Sequence, residues 1–286
     1  MLAQNVGDYS RIKSDDWPLY VQPKLDGVRC VIQYEWKDAN DYVVKAYSRT
    51  SKVWKNIDHI LTDLVPFFQK YPDVILDGEL YNHELKNDFE KIISLVRKTK
   101  PTEDDRFESY EKVQFHCYDI IMEHIDFQDR HKFIRDNFGR NSRTYPYPSI
   151  RSLMAATVYN TEEVEAYHEG FLEEKYEGSI LRQNKPYECK RSWTLMKVKD
   201  FSDAEAEIIG WVEGKGKRRG TIGKFIAADK DGNRFGMPVM DKFKYLQDNF
   251  EEMQTWKGKI ATFTYFERTK AGSYRHPLFK AIRDYE

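Results

Sequence analysis

Apolar positions along the chain change period several times. Ile57, Ile60, Leu61, Leu64, Val65 and Phe68 recur at helical spacing, as do Phe89, Ile92, Ile93 and Val96, and both stretches predict helices that cover a sheet. The segment "YVQPKLDGVRCVIQY", Tyr20 to Tyr34, reads instead as two strands. Val21, Val28, Val31 and Ile32 are β-branched, and Gly27 supplies the turn. Further strands are predicted at "YVVKAYSR", "VILDGELYN", "VQFHCYDIIM", "GSILRQ" and "TLMKVKD", and a helix at "TEEVEAYHEGFLEE", with Thr161 as its cap. Strands mixed with helices from Pro18 to Phe201 predict α+β architecture around antiparallel sheets. After Phe201 the texture becomes "AEIIGWVEG", "TIGKFIAAD", "GKIATFTYFER" and "PLFKAIRDY", short strands separated by turns, with one small helix near Asp241 to Phe250. That predicts a small β-barrel, and two domains, 1–201 and 202–286.

At 286 residues the chain can bury a sizeable core. Its 46 Lys and Arg nearly balance 47 Asp and Glu, so any footprint for nucleic acid has to be local. Residues 202–286 hold 16 basic against 13 acidic side chains, the excess lying in "GKGKRRGTIGK". A solvated loop would explain that run equally well. Cys30, Cys117 and Cys189 are odd in number and lack C-x-x-C spacing, which suggests a reducing compartment. The first residues lack the order of a signal peptide, and no apolar run approaches membrane-spanning length, so the expectation is a soluble, cytoplasmic protein.

Candidate chemistry sits where strands end. Lys24 follows an apolar run. In "ILDGELYN", Asp77 and Glu79 lie two apart and share a strand face, while Gly78 admits a ligand or a neighbouring chain. In "WTLMKVKDF" the same alternation places Lys197 and Lys199 on one face, opposite Met196 and Val198. Glu177 precedes a strand containing Ile180 and Leu181 that ends in Arg182. Taken singly, these could be solvent-facing acids or lysines guarding an edge strand.

The ordered set "KLDGVR", "SRTS", "LDGELY", "FHCYDI", "EGSILR" and "LMKVKD" resembles the six nucleotidyltransferase motifs of the covalent nucleotidyltransferase superfamily, spanning Val21 to Phe201. "AEIIGWVEGKGKRRGTIGKFIAA" looks like the opening of the OB domain of ATP-dependent DNA ligases. "RHPLFKAIRDY" is similar to their last motif, especially in small bacteriophage enzymes. The fold implied is an α+β nucleotidyltransferase (adenylation) domain with antiparallel sheets, followed by a small all-β OB-fold domain. Capping guanylyltransferases share the lysine motif without this basic OB segment. An RNA ligase, a capping guanylyltransferase and a non-catalytic OB-type nucleic-acid-binding module stay open as alternatives.

The resemblance implies roles residue by residue. Lys24 would attack the α-phosphate of ATP and carry AMP. Freeing its amine of a proton near neutral pH costs roughly 4 kcal/mol from a reference pKa of about 10.4, and Arg29, Lys197, Lys199 and Mg²⁺ would lower that cost. Glu79 and Glu177 match the acids that hold ribose and Mg²⁺, with Mn²⁺ able to substitute. Tyr118 takes the position that stacks on adenine. Gln22 stands where many DNA ligases carry an acid, offering a carbonyl and two donors in its place. Arg29 and Arg49 match contacts to nick phosphates. Lys215, Lys217, Arg218 and Arg219 would meet the DNA backbone, and Arg283, with Arg275, the departing pyrophosphate. The frequent R-x-D-K ending reads here Arg283, Asp284, Tyr285, Glu286, without the lysine. With 23 residues ahead of Lys24, a minimal, monomeric enzyme acting on nicked duplex DNA is expected.

Overall fold

A computed structural model of the chain describes residues 1–6, 9–38, 41–86, 88–139, 147–269 and 272–283. The chain divides into two compact units, Met1–Val198 and Lys199–Glu286, so Phe201 already lies in the second.

The first unit carries strands β1 (Leu2–Asn5), β2 (Leu19–Pro23), β3 (Val28–Asp38), β4 (Asp41–Tyr47), β5 (Leu76–Tyr81), β6 (Gln114–Ile120), β7 (Ile150–Ser152), β8 (Ala156–Val158), β9 (Ser179–Gln183) and β10 (Arg191–Val198). Its helices are α1 (Asp58–Lys70), α2 (Phe89–Val96), α3 (Glu103–Lys112), α4 (Phe127–Phe138) and α5 (Thr161–Glu173). One sheet runs β1-β10-β9-β2-β8 and the other β4-β3-β5-β6-β7. Both are antiparallel except at one edge each, where β1 pairs parallel to β10 and β7 parallel to β6. Helical spacing puts Ile60, Leu64 and Phe68 of α1 on one face, where they are buried with Ile92 and Val96 against Ile32, Leu76, Leu80 and Phe115 of the second sheet. A separate core, with Val21, Leu181, Met196 and Val164, lies against the first sheet.

Two helices went unread in the sequence. α3 is polar nearly all round and begins with a capping box between Thr102 and Asp105. α4 buries Arg130 among Phe127, Ile134 and Phe138, and the charge breaks its apolar stripe. The cap of α5 is Asn160, whose side chain accepts from the Glu163 N–H; Thr161 is the first helical residue.

The second unit contains β11 (Ser202–Glu213), β12 (Ile222–Ala228), β13 (Arg234–Pro238), the short helices α6 (Phe243–Asp248) and α7 (Phe250–Gln254), β14 (Ile260–Tyr265) and β15 (Leu278–Ile282). The sheet order is β13-β12-β11-β14-β15, antiparallel throughout. Its two end strands approach one another, so the sheet curls around Ile208, Phe225, Met237, Leu246 and Phe263. Strand β13 has no counterpart among the predicted strands, and the predicted helix is split at Asn249.

At Gly78 neighbouring strands come close together. A Cβ there would lie 2.5 Å from the His116 carbonyl oxygen and 2.5 Å from the Phe115 ring, so the gap serves a neighbouring strand rather than a ligand. Gly78→Ala is expected to lower stability by roughly 1–3 kcal/mol through overpacking, read as an earlier urea midpoint. An unchanged midpoint would mean that β5 and β6 part without cost.

Candidate active site

The ladder between β2 and β9 carries Lys24 to Glu177. Pro23 pairs with Ser179 at its end, and backbone pairing continues beyond it. The Lys24 N–H donates to the Gly178 carbonyl at 2.8 Å, and the Glu177 N–H donates to the Lys24 carbonyl at 3.0 Å. The side chains then meet as an ion pair.

The second sheet supplies the facing residues. Arg29 and Glu79 are register partners on β3 and β5, and Asp77 follows on the same face. Gly27 lets Glu79 pass, since a Cβ there would sit 2.6 Å from Glu79 Cγ. Burial pushes the Glu79 carboxyl up to about 8, against the pull of the Lys24 charge.

Gln22, Lys24, Arg29, Arg49, Glu79 and Tyr118 line one cavity of about 220 Å³ between the sheets. Leu153, Ile180, Arg182 and Leu195 complete its wall. A more open concavity of about 1340 Å³ shares Pro23 and Leu153 with it, but no lysine among the described residues lines that one. Lys197 pairs with Ile180 across β10 and β9 and therefore projects on the cavity's face. Burial, then the charges of Lys24, Arg191 and Arg49, lower the Lys197 pKa from its ordinary value.

Several of these groups are already engaged. The Arg29 fork, expected on a nick phosphate, is turned onto Asp77, with Nε and Nη2 each donating at 2.9 Å. Its Nη1 donates to the Met1 carbonyl at 2.7 Å, and the Tyr187 hydroxyl donates to Asp77 at 2.7 Å. Burial works against the Arg29 charge, but the Asp77 carboxylate overrides it and holds the guanidinium charged. The Tyr118 hydroxyl points to Asp77 at 3.4 Å, and its ring packs near Leu25, Tyr81 and Leu153. Arg49, in the turn after β4, is exposed at the cavity. Gln22 is buried, its carbonyl accepting from Arg182 Nε at 2.7 Å and its amide donating to the Leu153 carbonyl at 3.3 Å.

The remaining expected residues belong to the second unit. Lys199 lies 4.8 Å from the centre of the Phe266 ring. Lys215, Lys217 and Arg219 are exposed. Arg218 is not free for phosphate, because its two terminal nitrogens donate to the carbonyls of Val239 and Asp241 at 2.9 and 3.0 Å. Arg283, just past β15, is ion-paired with Glu205 on β11, and Arg275 with Glu267. Asp284, Tyr285 and Glu286 lie outside the described residues.

Glu79 and Glu177 both act on Lys24, and they offer hard oxygen donors of the kind that hold Mg²⁺ together with substrate phosphates. Among the described residues no three His, Cys, Asp or Glu side chains group to cage an ion alone. Two carboxylates beside one lysine would hold a divalent cation only with phosphate oxygens completing its shell. Sequence reading missed the buried support behind the cavity. Asp119 takes Arg130 and Arg182 together, and the only signal in the chain was an acid after Tyr118 and an arginine ending "GSILR".

The ATP dependent DNA ligase domain family matches residues 1–199. The chain belongs to that family. It is 23% identical to a DNA ligase of Haemophilus influenzae over 214 residues, covering 74% of this chain and 73% of that protein. Against DNA ligase 1 of Methanosarcina barkeri it is 24% identical over 267 residues, covering 81% of this chain but only 45% of that protein's length. A solved Lig E DNA ligase structure superposes with a TM-score of 0.73 at 24% identity, over 99% of this chain and 98% of that one. Fold class follows: a ligase-family nucleotidyltransferase unit and an OB-fold unit.

The lowered Lys197 pKa should show in amine labelling followed by mass spectrometry. Lys197 should react at lower pH than the exposed lysines, and Lys24→Ala, by removing a like charge, should move its profile to higher pH. A profile that matches surface lysines would place Lys197 out of reach of that charge.

Proposed function

We propose that this chain is an ATP-dependent DNA ligase that seals 5′-phosphate/3′-OH nicks in duplex DNA through a lysine–AMP intermediate and adenylated DNA. The observation that carries this reading is the meeting of Lys24 and Glu177 at the end of the β2–β9 ladder, with Glu79 and Tyr118 in the same cavity. Lys24 Nζ forms a P–N bond to the α-phosphorus of ATP as the bond to pyrophosphate breaks. AMP then passes to the 5′-phosphate of the nick, and the 3′-hydroxyl displaces it. Tyr118 stacks on the base and Glu79 faces the ribose. Mg²⁺ held by Glu79 and Glu177 would neutralise the phosphates and occupy the carboxylates that otherwise favour a charged Lys24.

Arg49 and Lys197 are the cations best placed for phosphate on the first unit, since Arg29 is held by Asp77. On the second unit, Lys215, Lys217 and Arg219 face solvent and suit backbone phosphates, and Arg283 suits pyrophosphate once its exposed pair with Glu205 opens. The working form is a monomer in a reducing cytoplasm; among the described residues no helix is long and apolar enough to cross a membrane.

Intact mass after incubation with ATP and Mg²⁺ should show one added adenylyl group on the wild type and none on Lys24→Ala. An adduct that survives the substitution would remove Lys24 as nucleophile, and GTP working in place of ATP would replace the nucleotide assignment. Neutralising Lys215 and Lys217 together should flatten the log–log salt dependence of nick binding by roughly two units while leaving adenylylation unchanged. An unchanged slope would return that loop to a solvated surface.

A further inference from the structure

Gln22 is nearly fully buried, and two partners of opposite character fix its side chain. Arg182 carries only donors, so the atom it meets at 2.7 Å has to be the amide oxygen. The Leu153 carbonyl only accepts, so the atom facing it at 3.3 Å has to be the nitrogen. Both conditions select the same orientation. Arg182 is itself held by Asp119, to which its Nη1 donates at 2.7 Å, and Arg130 holds Asp119 from the other side at 2.7 and 3.1 Å. Asp119 and Arg130 are 0% and 1% exposed, so this support does not yield to solvent. The same guanidinium lies 5.4 Å from the centre of the Tyr118 ring. One arginine thus touches both Tyr118, which the ATP reading gives to the base, and Gln22, which lines the same cavity.

We infer that Arg182 is a positioning residue that locks the Gln22 amide in one orientation and thereby sets which purine edge the cavity accepts. The inference rests on the proposed use of ATP. A carboxamide presents an acceptor beside a donor, and turning it over exchanges them. Replacing adenine by hypoxanthine makes the same exchange on the base, since the 6-amino donor becomes a 6-oxo acceptor and the N1 acceptor becomes a donor. A locked amide separates these two edges. A free one turns to suit either.

The test compares ATP with ITP. The ratio of kcat/KM values for adduct formation on Lys24 should fall about tenfold in favour of ITP in Arg182→Met. In the Gln22→Glu background the same arginine substitution should leave the ratio unchanged, because a carboxylate has no donor end to orient. A merely structural arginine would alter both backgrounds alike, and that result, or an unchanged ratio in Arg182→Met alone, overturns the inference. Should Arg182→Met fail to fold by its melting curve, the same substitution combined with Asp119→Asn, which leaves no carboxylate short of a partner, is read in the same way. Binding of the two triphosphates to Lys24→Ala, with and without Arg182→Met, gives the ratio without chemistry. Selective binding that follows Arg182, when the wild type itself forms no adduct, would sustain the inference and sink the ligase reaction; adduct formation by the wild type with no dependence on Arg182 would do the reverse. Failure to bind either triphosphate overturns both.

Discussion

The cleft of the first unit depends on one buried carboxylate. Asp119 on β6 is fully buried and receives Arg130 from α4 and Arg182 from β9, so it ties one sheet, a covering helix and the other sheet at a single point. Two guanidinium groups on one aspartate leave an excess of positive charge in the interior. Further donors find backbone and amide carbonyls, that of Lys185 for Arg130 and that of Gln22 for Arg182, which offsets part of the cost. Removing the aspartate would leave two charges without a counter-ion, a loss of the size seen when a buried pair is broken, roughly 3–5 kcal/mol. The wall of the cavity is therefore held by electrostatic as well as hydrophobic contacts.

Cations expected to meet phosphate are largely paired within the protein, and burial decides which of them can exchange partners. Arg29 and Asp77 have side chains 20% and 3% exposed and share two hydrogen bonds, so a ligand would have to desolvate and separate a partly buried pair. Arg283 and Glu205 are 36% and 40% exposed, and surface pairs of that kind contribute about 0–1 kcal/mol. A phosphate can displace Glu205 at little cost, whereas Arg29 stays with Asp77 and shapes the cavity. Lys24 and Glu177 are buried to nearly the same degree as Arg29 and Asp77, their side chains 20% and 5% exposed. In the proposed reaction a divalent cation would take over the glutamate, so that the charge pair and a reactive amine would be two states of one arrangement.

Much of the site was legible because strand alternation is a strong local rule. Asp77 and Glu79, two apart on β5, had to share a face, and the turn at Gly27 had to place Lys24 at a strand end. Motif order then brought in Glu177, Tyr118 and Lys197; Tyr118 lines the cavity with Lys24, and Glu177 pairs with that lysine. The parallel edge strands β1 and β7 left no such mark, being four and three residues long with no alternation to read. Helix α3 was hidden by its polarity and α4 by an arginine in its buried stripe. Only the tertiary structure could decide what each charge faces. An arginine fork has the same sequence signature whether it faces an open cavity, as Arg49 does, or closes on a carboxylate, as Arg29 does, or on backbone carbonyls, as Arg218 does. The choice turns on which acceptor lies within about 3 Å after the sheets have packed. For Arg29 and Asp77 that partner stands 48 residues away in the chain, and for Arg182 and Gln22 it stands 160 away, distances over which local pattern carries no information.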